Sequence, residues 1–281
     1  MSYSGKKSML CPSCRKLISS YEERCPYCGI PNPGSRWKKS LPANFLRNPS
    51  DIIKIIIYTN IALYALTILL NPSNLGLSMN PLTFLSPSNS SLFLFGATGT
   101  IPIDRLNWWW TLLSASYLHG GLLHIFFNMM ALKQLGPFVL NEYGLNRFFI
   151  LYTVTGIAGF YVSYLAGIPF TIGASASLCG LIGATLYYGK SRGGFYGNAI
   201  FRQVMRWVVI LAIFGFLVPG INNWGHGGGI VSGLLLGFLL GYNENKAESS
   251  LHRTLAVGCI FLTIGILFWV VLHAAYMIFF S

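Results

Sequence analysis

Serine and histidine side chains near the ends of separate apolar stretches are the groups in this sequence that could do chemistry. Ser175 lies within the small-residue run 173–177 (GASAS), and His226 opens a later glycine-rich stretch. An imidazole within hydrogen-bond reach of a serine hydroxyl can take its proton and activate the oxygen as a nucleophile. We interpret Ser175 and His226 as a candidate catalytic pair, although a serine that caps its helix and a histidine that bonds a neighbouring backbone would leave the same pattern.

A third apolar stretch carries His119, His124 and Asn128. His124 and Asn128 are four residues apart, which places them on one face of a helix. Two hydrogen-bond donors directed at one point could stabilise the negative oxygen that develops during acyl transfer. Polar side chains that join neighbouring helices in a membrane bundle are also common, and the spacing leaves both interpretations open.

Glycine recurs every fourth residue after His226, at Gly229, Gly233, Gly237 and Gly241. Residues four apart share a helix face, so this pattern predicts a flat ridge against which another helix backbone can pack closely. A helix that carries Ser175 and packs on this ridge would bring the serine near His226. No aspartate or glutamate lies in a predicted membrane span, so the pair would act as a dyad without a carboxylate.

The composition indicates a membrane protein. The 281 residues are 53% hydrophobic and only 9% charged, whereas soluble domains carry about 25% charged residues. Apolar runs of about 20 residues are long enough to cross a bilayer as helices. The sequence predicts seven such spans, at residues 52–70, 117–139, 147–167, 172–189, 205–220, 225–242 and 254–279.

The net charge of +12 follows the predicted topology. If the N-terminus is cytosolic, nearly all lysines and arginines fall in cytosolic segments or at the cytosolic ends of spans, with only Arg105 in an outer segment and Lys133 farther inside a span. This asymmetry obeys the positive-inside rule and argues against nucleic acid as a partner. A channel or transporter would need more ionisable groups near the midplane than Lys133. We therefore predict a multi-pass protein of the cell (plasma or inner) membrane, in contact with the lipid bilayer, with a cytosolic N-terminus and with Ser175 and His226 toward the outer side.

The polar N-terminal region contains two CPxC pairs, formed by Cys11, Cys14, Cys25 and Cys28. Four thiolates can close a tetrahedral shell around one zinc ion, and so short a segment has too small a core to fold without such support. Two disulfides or redox-active cysteines are the alternatives. We predict a structural zinc in a cytosolic zinc ribbon at residues 1–35, which implies a reducing compartment and leaves open an unknown cytosolic partner. A basic juxtamembrane linker follows at residues 36–51.

The long stretch 71–107 is rich in Asn, Pro, Ser and Gly and contains several apolar residues. A loop of this length inside a compact domain is usually functional or disordered. We expect it to pack on or dip into the membrane surface, with Trp108, Trp109 and Trp110 as interfacial anchors.

Three motifs together resemble those of the rhomboid family of intramembrane serine proteases. They are HxxxxHxxxN at residues 119–128, GxSx at 173–176 and HxxGxxxG at 226–233, and they occur in the family's order with similar separations. The resemblance implies an all-α polytopic membrane protein with a six-helix rhomboid-like catalytic core at residues 52–242. The small N-terminal four-cysteine zinc ribbon would be an addition to this core, as would a linker and one extra C-terminal transmembrane helix at residues 243–281.

The resemblance also implies roles for the residues of these motifs. Ser175 would be the nucleophile and His226 the general base, while His124, Asn128 and the Ser175 backbone N–H would form the oxyanion hole. His119 belongs to the same oxyanion and substrate-binding group. The substrates would be transmembrane segments of other membrane proteins, and catalysis would need no cofactor.

The sequence departs from the family pattern at three places. Ala176 replaces the usual glycine after the serine, Cys179 replaces an aromatic residue that packs on the histidine, and Trp110-Thr111 replaces a Trp-Arg pair in the first loop. A methyl group at Ala176 could crowd the scissile carbonyl or restrict which substrates fit. A rhomboid-like protein that binds membrane helices without cutting them is therefore the alternative to an active protease.

Overall fold

A computed structural model of the chain describes residues 8–11, 16–29, 33, 49–70, 76–77 and 84–280. The chain divides into two compact units, Met1–Asp51 and Ile52–Ser281. The first unit contains an antiparallel hairpin of β1 (Ser8–Leu10) and β2 (Leu17–Ser19), in which Met9 pairs with Ile18. Cys11, Ile18 and Cys25 form its small buried cluster.

The second unit is mostly helical. In chain order the helices are α1 (Pro49–Leu69), α2 (Asn89–Leu94), α3 (Thr100–Leu106), α4 (Thr111–Ser114), α5 (Leu122–Tyr143), α6 (Leu145–Leu165), α7 (Ser175–Arg192), α8 (Gly194–Leu217), α9 (Asn223–Leu240) and α10 (Ser250–Phe279). A short antiparallel pair, β3 (Gly76–Leu77) and β4 (Phe84–Ser86), precedes α2. A 3₁₀ turn at Ala115–Tyr117 follows α4 directly.

Each of the seven predicted spans corresponds to a long helix, with boundaries shifted by at most five residues except at the start of α8, which begins eleven residues before the predicted 205. Among the described residues, five helices are long and apolar enough to cross a membrane, namely α1, α5, α6, α8 and α10. The other two, α7 and α9, have 18 residues each. At 1.5 Å per residue they are about 27 Å long, slightly less than the hydrocarbon core of about 30 Å. Their glycines and polar residues lower their hydropathy, and these are the two helices that carry Ser175 and His226.

Helix α7 lies at the centre of the bundle and packs against α5, α6, α8 and α9. Its closest neighbour is α9, because glycines let the two backbones touch. A Cβ atom added to Gly233 would run into the Gly180 carbonyl oxygen, and one added to Gly229 would run into the Ala176 carbonyl oxygen. The predicted ridge therefore faces the helix of Ser175. Its fourth glycine is the exception, because Gly241 ends α9 with a φ of +69°.

The segment before α5 packs on the helical bundle. Its side chains Leu92, Phe95 and Ala97 lie in the main hydrophobic core. Thr98 forms a backbone bridge with Thr171 in the α6–α7 connection, with N–H to oxygen distances of 3.1 and 2.7 Å. The segment is thus joined to the chain that leads into α7.

The three consecutive tryptophans have different surroundings. The Trp108 ring contacts His273 of α10 edge-on at 4.7 Å between centroids. Trp110 fills the space beside Gly96, where a Cβ atom would overlap its ring. Trp109 is 47% exposed. Two of the three predicted interfacial anchors are therefore largely engaged in packing within the protein.

A polar clasp joins the α5–α6 turn to the α9–α10 linker. The Glu248 carboxylate accepts hydrogen bonds from the backbone N–H groups of Asn146 and Arg147 at 3.1 and 3.3 Å, and so caps the start of α6. The fully buried Arg147 side chain donates to Asn243 Oδ1 at 3.1 Å and to the Lys246 carbonyl at 2.6 Å. Burial of a guanidinium is costly unless its donors are bonded. The linker supplies two acceptors and the Tyr143 carbonyl a third at 3.2 Å, while Nε is buried without a hydrogen-bond partner among the described residues.

Gly233→Ala tests the α7–α9 contact, because the added methyl group must push two backbones apart. We expect it to lower the free energy of unfolding by about 1–3 kcal/mol. Gly227→Ala on the same helix is the matched control, since a Cβ atom there meets nothing within 4 Å. The control should be neutral or stabilising by up to about 1 kcal/mol. Thermal unfolding in detergent measures both, and equal behaviour of the two variants would contradict the close contact.

Candidate active site

Ser175 is the first residue of α7, and the chain before it is held in a fixed path. The Gly173 N–H donates to the Ala115 carbonyl at 2.8 Å, which fixes the turn against the 3₁₀ segment. Gly173 has a φ of +124°, a conformation that other residues rarely adopt. A Cβ atom at this position would also lie 2.7 Å from His124 Nε2 and 3.6 Å from Ser175 Oγ. Glycine is therefore required both for the turn and for the approach of His124 to the serine.

His226 lies in the first turns of α9, and its ring reaches Ser175. The distance between His226 Nε2 and Ser175 Oγ is 2.9 Å, which is a hydrogen bond. The two residues are 51 positions apart in the sequence, and the glycine contact between α7 and α9 brings them together. Among the described residues, nothing hydrogen-bonds His226 Nδ1, so the geometry is that of a pair without a carboxylate.

His124 is the second histidine beside the serine. Its Nδ1 accepts a hydrogen bond from the Gly120 backbone N–H at 3.3 Å. In a neutral imidazole the other ring nitrogen then carries the proton. His124 Nε2 is therefore a donor, and it lies against Gly173 on the Ser175 side of the site.

Asn128 contacts the backbone of His124, and His119 contacts its ring. The Asn128 amide donates to the His124 carbonyl at 2.9 Å, so one of its two N–H groups is used within its own helix. The His119 ring packs edge-on against the His124 ring at 5.1 Å and is completely buried. A substrate could not reach His119 in this arrangement, whereas His119 does restrict the orientation of His124. The roles of these residues stay predictions.

The methyl group of Ala176 points into helix packing. Ala176 is buried in a small cluster with Ile103, Leu112, Ala115 and Phe160. On the neighbouring helix α6, a Cβ atom at Gly159 would lie 3.0 Å from the Ala176 Cβ, so the glycine makes room for the extra methyl group. Cys179, the other departure near the serine, is buried against Gly229, one turn after His226.

Asn222 lies in the site region although none of the three sequence motifs contains it. It is the N-cap of α9, and its side chain accepts a hydrogen bond from the Gly225 N–H at 2.9 Å. An asparagine just before an apolar run is a known signal for a helix start, so this cap was visible in the sequence. Its hydrogen bonds to Ser163 of α6 and to Thr171 could not be predicted from the sequence.

The described cysteines of the N-terminal unit lie close together. Ligand atoms of Cys11, Cys25 and Cys28 are all within 4.8 Å of one another, and the sulfur atoms of Cys11 and Cys28 are 3.7 Å apart. Zinc–sulfur bonds of about 2.3 Å in a tetrahedral shell place sulfur atoms about 3.8 Å apart, so this geometry fits a zinc site. Cys14, the fourth predicted ligand, lies outside the described residues.

The sequence is similar to that of known proteins over the region that carries the residues of this site. Residues 106–243 match the rhomboid domain family. Rhomboid protease GluP of Bacillus subtilis (strain 168) is 34% identical over 185 residues, which are 66% of this chain and 36% of that protein. RHOMBOID-like protein 1 of Arabidopsis thaliana is 33% identical over 210 residues, which are 67% of this chain and 52% of that protein.

The matched region contains Ser175, His226, His119, His124 and Asn128. The chain spans between about a third and a half of the length of the curated relatives it matches, as the 36% and 52% coverages show. With its apolar helices and this domain it is a multi-pass membrane protein, and it belongs to the rhomboid family.

Proposed function

We propose that the chain is an intramembrane serine endopeptidase that cleaves transmembrane segments of other membrane proteins through a Ser175–His226 dyad. The 2.9 Å hydrogen bond between Ser175 Oγ and His226 Nε2 carries the proposal. A histidine bonded to a serine hydroxyl at the start of a buried helix is the arrangement that nucleophilic catalysis needs. One of the relatives, rhomboid protease GluP of Bacillus subtilis, is named as a protease, which supports this chemistry.

In the proposed reaction, Ser175 Oγ attacks the carbonyl carbon of the scissile peptide bond while its proton passes to His226 Nε2. The proton then moves from His226 to the leaving nitrogen, the C–N bond breaks, and an acyl-enzyme remains. A water molecule, deprotonated by His226, then attacks the ester carbonyl, the bond between the carbonyl carbon and Ser175 Oγ breaks, and His226 returns the proton to Oγ as the second product leaves. Both steps begin with neutral His226 and regenerate it.

The oxyanion would be stabilised by His124 Nε2–H and by the Ser175 backbone N–H. The first N–H groups of a helix have no partner within that helix, so the position of Ser175 at the start of α7 leaves its N–H available. His124 is fixed as a donor by the Gly120 bond to its Nδ1. Asn128 would contribute its second amide proton, and His119 would orient His124 instead of contacting the substrate.

We propose further that α1 and α5–α9 form the six-helix catalytic core within residues 52–242, and that α10 is an additional membrane helix. In this topology the short helices α7 and α9 also cross the membrane. Helix α7 is enclosed by other helices, whereas α9 would present exposed apolar side chains such as Val231, Leu235 and Phe238 to lipid. The basic residues favour a cytosolic N-terminus, with Ser175 and His226 toward the outer side of the plasma or inner membrane.

Ser175→Ala and His226→Ala should each lower cleavage of a model transmembrane substrate by about 1,000-fold or more, because each removes one half of the dyad. Labelling by a fluorophosphonate serine probe should be lost in Ser175→Ala. Ser177→Ala is the matched control, since Ser177 is fully buried two residues away, beside Gly156, and should stay labelled. Persistent cleavage by Ser175→Ala would contradict the mechanism, and a labelled wild type that cuts no membrane substrate would favour the non-cleaving alternative.

Ala176→Gly should keep or raise proteolytic activity, because the methyl group it removes lies between helices and not beside the Ser175 hydroxyl. The same change should lower the free energy of unfolding by about 1 kcal/mol, since glycine is less favourable in a helix and leaves a gap against α6. Cleavage assays and thermal unfolding measure the two effects. A large loss of cleavage with unchanged unfolding would show that the methyl group acts within the site.

We also propose that Cys11, Cys14, Cys25 and Cys28 bind one structural zinc ion in residues 1–35, next to a basic linker at residues 36–51. Elemental analysis of the purified full chain should find about one zinc per chain. The double variant Cys11→Ser/Cys25→Ser should lose it, whereas Cys259→Ser, in α10, should retain it. A zinc-free wild type, or zinc retained by the double variant, would contradict the proposal.

A further inference from the structure

We propose that Asn222 is a positioning residue that sets the alignment of His226 with Ser175. This inference rests on the proposed protease function, because it assigns Asn222 a role in that dyad. Asn222 does not touch the serine or the histidine ring. It acts through the segments that carry them.

One side of Asn222 holds the beginning of α9. Its Oδ1 accepts a hydrogen bond from the Gly225 N–H at 2.9 Å, and its backbone carbonyl accepts one from the His226 N–H at 3.1 Å. The turn that ends at His226 is therefore built directly on this residue.

The other side of Asn222 holds the two segments that surround Ser175. Its Nδ2 donates to Ser163 Oγ of α6 at 2.7 Å and to Thr171 Oγ1 at 2.8 Å. Thr171 lies four residues before Ser175 and is itself fixed by the backbone bridge to Thr98. The Ser163 hydroxyl gives its proton to the Gly159 carbonyl at 3.0 Å, which leaves its oxygen as an acceptor for Asn222.

Asn222 thus uses one acceptor and two donors to join three segments. Only a carboxamide offers this combination at this side-chain length. Gly225 leaves the necessary space, because a Cβ atom there would lie 3.0 Å from both Asn222 Nδ2 and Ser163 Oγ.

The alignment needs such a clasp because the α7–α9 contact is made by glycines. Two backbones in contact fix the distance between the helix axes, but the glycines of α9 have no side chains of their own that would interlock with α7 and resist sliding along the axes. A displacement of 1 Å at a reacting pair can lower the rate by about 100-fold. The hydrogen bonds of Asn222 oppose that displacement at the end of α9 where His226 lies.

The next residue provides a matched control. Asn223 is also an asparagine at the start of α9, but its Nδ2 donates to the Gly215 carbonyl of α8 at 2.9 Å. It joins α9 to a helix that carries none of the dyad.

The test uses the full chain in detergent and measures the second-order rate of fluorophosphonate labelling together with kcat and KM for a model transmembrane substrate. Asn222→Ser keeps an oxygen that can cap α9 but is too short to reach Ser163 and Thr171. We expect labelling rate and kcat to fall about 10- to 100-fold while KM changes little. Asn223→Ser should not lower the labelling rate.

Thr171→Val removes one acceptor without changing the side-chain shape, and we expect a smaller loss of labelling rate and kcat in the same direction. Both changes break the same hydrogen bond. The labelling rate of the double variant Asn222→Ser/Thr171→Val should therefore be close to that of Asn222→Ser alone, and not as low as two independent losses multiplied together would give. If Asn222→Ser does not fold, Thr171→Val carries the test by itself.

The inference is overturned if Asn222→Ser labels at the wild-type rate, if only KM changes, or if Asn223→Ser is equally slow. It is also overturned if Thr171→Val is as fast as the wild type. These results would leave the protease function intact, as long as wild type cleaves its substrate and Ser175→Ala does not. Loss of that difference would instead overturn the proposed function.

Discussion

The backbone of α7 rests directly on the backbone of α9, and the candidate site depends on this contact. Ser175 lies at the start of α7 and His226 near the start of α9. Their hydrogen bond forms because Gly229 and Gly233 let the two helix backbones touch. Inside a bilayer there is no hydrophobic effect to press helices together, so close packing of small residues is the principal attraction available. The same glycines that allow association therefore also define the distance across which a proton could move.

The remaining side chains of the site are arranged around this contact by short-range bonds. Gly173 is tied to Ala115 by one backbone hydrogen bond, and its missing side chain leaves room for His124. His119 is buried, and its ring packs edge-on against the His124 ring. The protein's own contacts thus set the positions of these groups. In the proposed reaction, donors placed in advance in this way would stabilise a developing charge most effectively.

Much of this arrangement was predictable from the sequence, because it follows from periodicity. Glycines four residues apart had to share a helix face, and that face proved to be the one in contact with the helix of Ser175. The polar residues within the apolar runs also included those that meet at the site. The direction in which a given side chain points around its helix axis was less predictable. The Ala176 methyl group could have pointed into the site or into helix packing, and only the position of α6 decides between them.

Other features depended on partners distant in the sequence. Nothing local to His119 indicates complete burial, and nothing local to Asn222 indicates Ser163 and Thr171 as acceptors. Gly241 continues the four-residue pattern, but the helix ends there, since the chain must turn toward the α9–α10 linker. The sequence predicts Trp108 as an interfacial anchor, because its contact with the ring of His273, 165 positions later, is not visible in the sequence.

The clasp around Arg147 and Glu248 has a consequence for how the protein is made. A ribosome produces the α5–α6 turn about a hundred residues before the carboxylate that caps α6 and the carbonyl that receives the Arg147 guanidinium. During that interval the arginine has no acceptors from the linker, and a cation without partners is strongly favoured in water or among lipid headgroups over the bundle interior. The two linker acceptors of Arg147 therefore become available only after α9 has been synthesised. The linker between α9 and α10 thus completes a set of contacts that the α5–α6 turn begins about a hundred residues earlier.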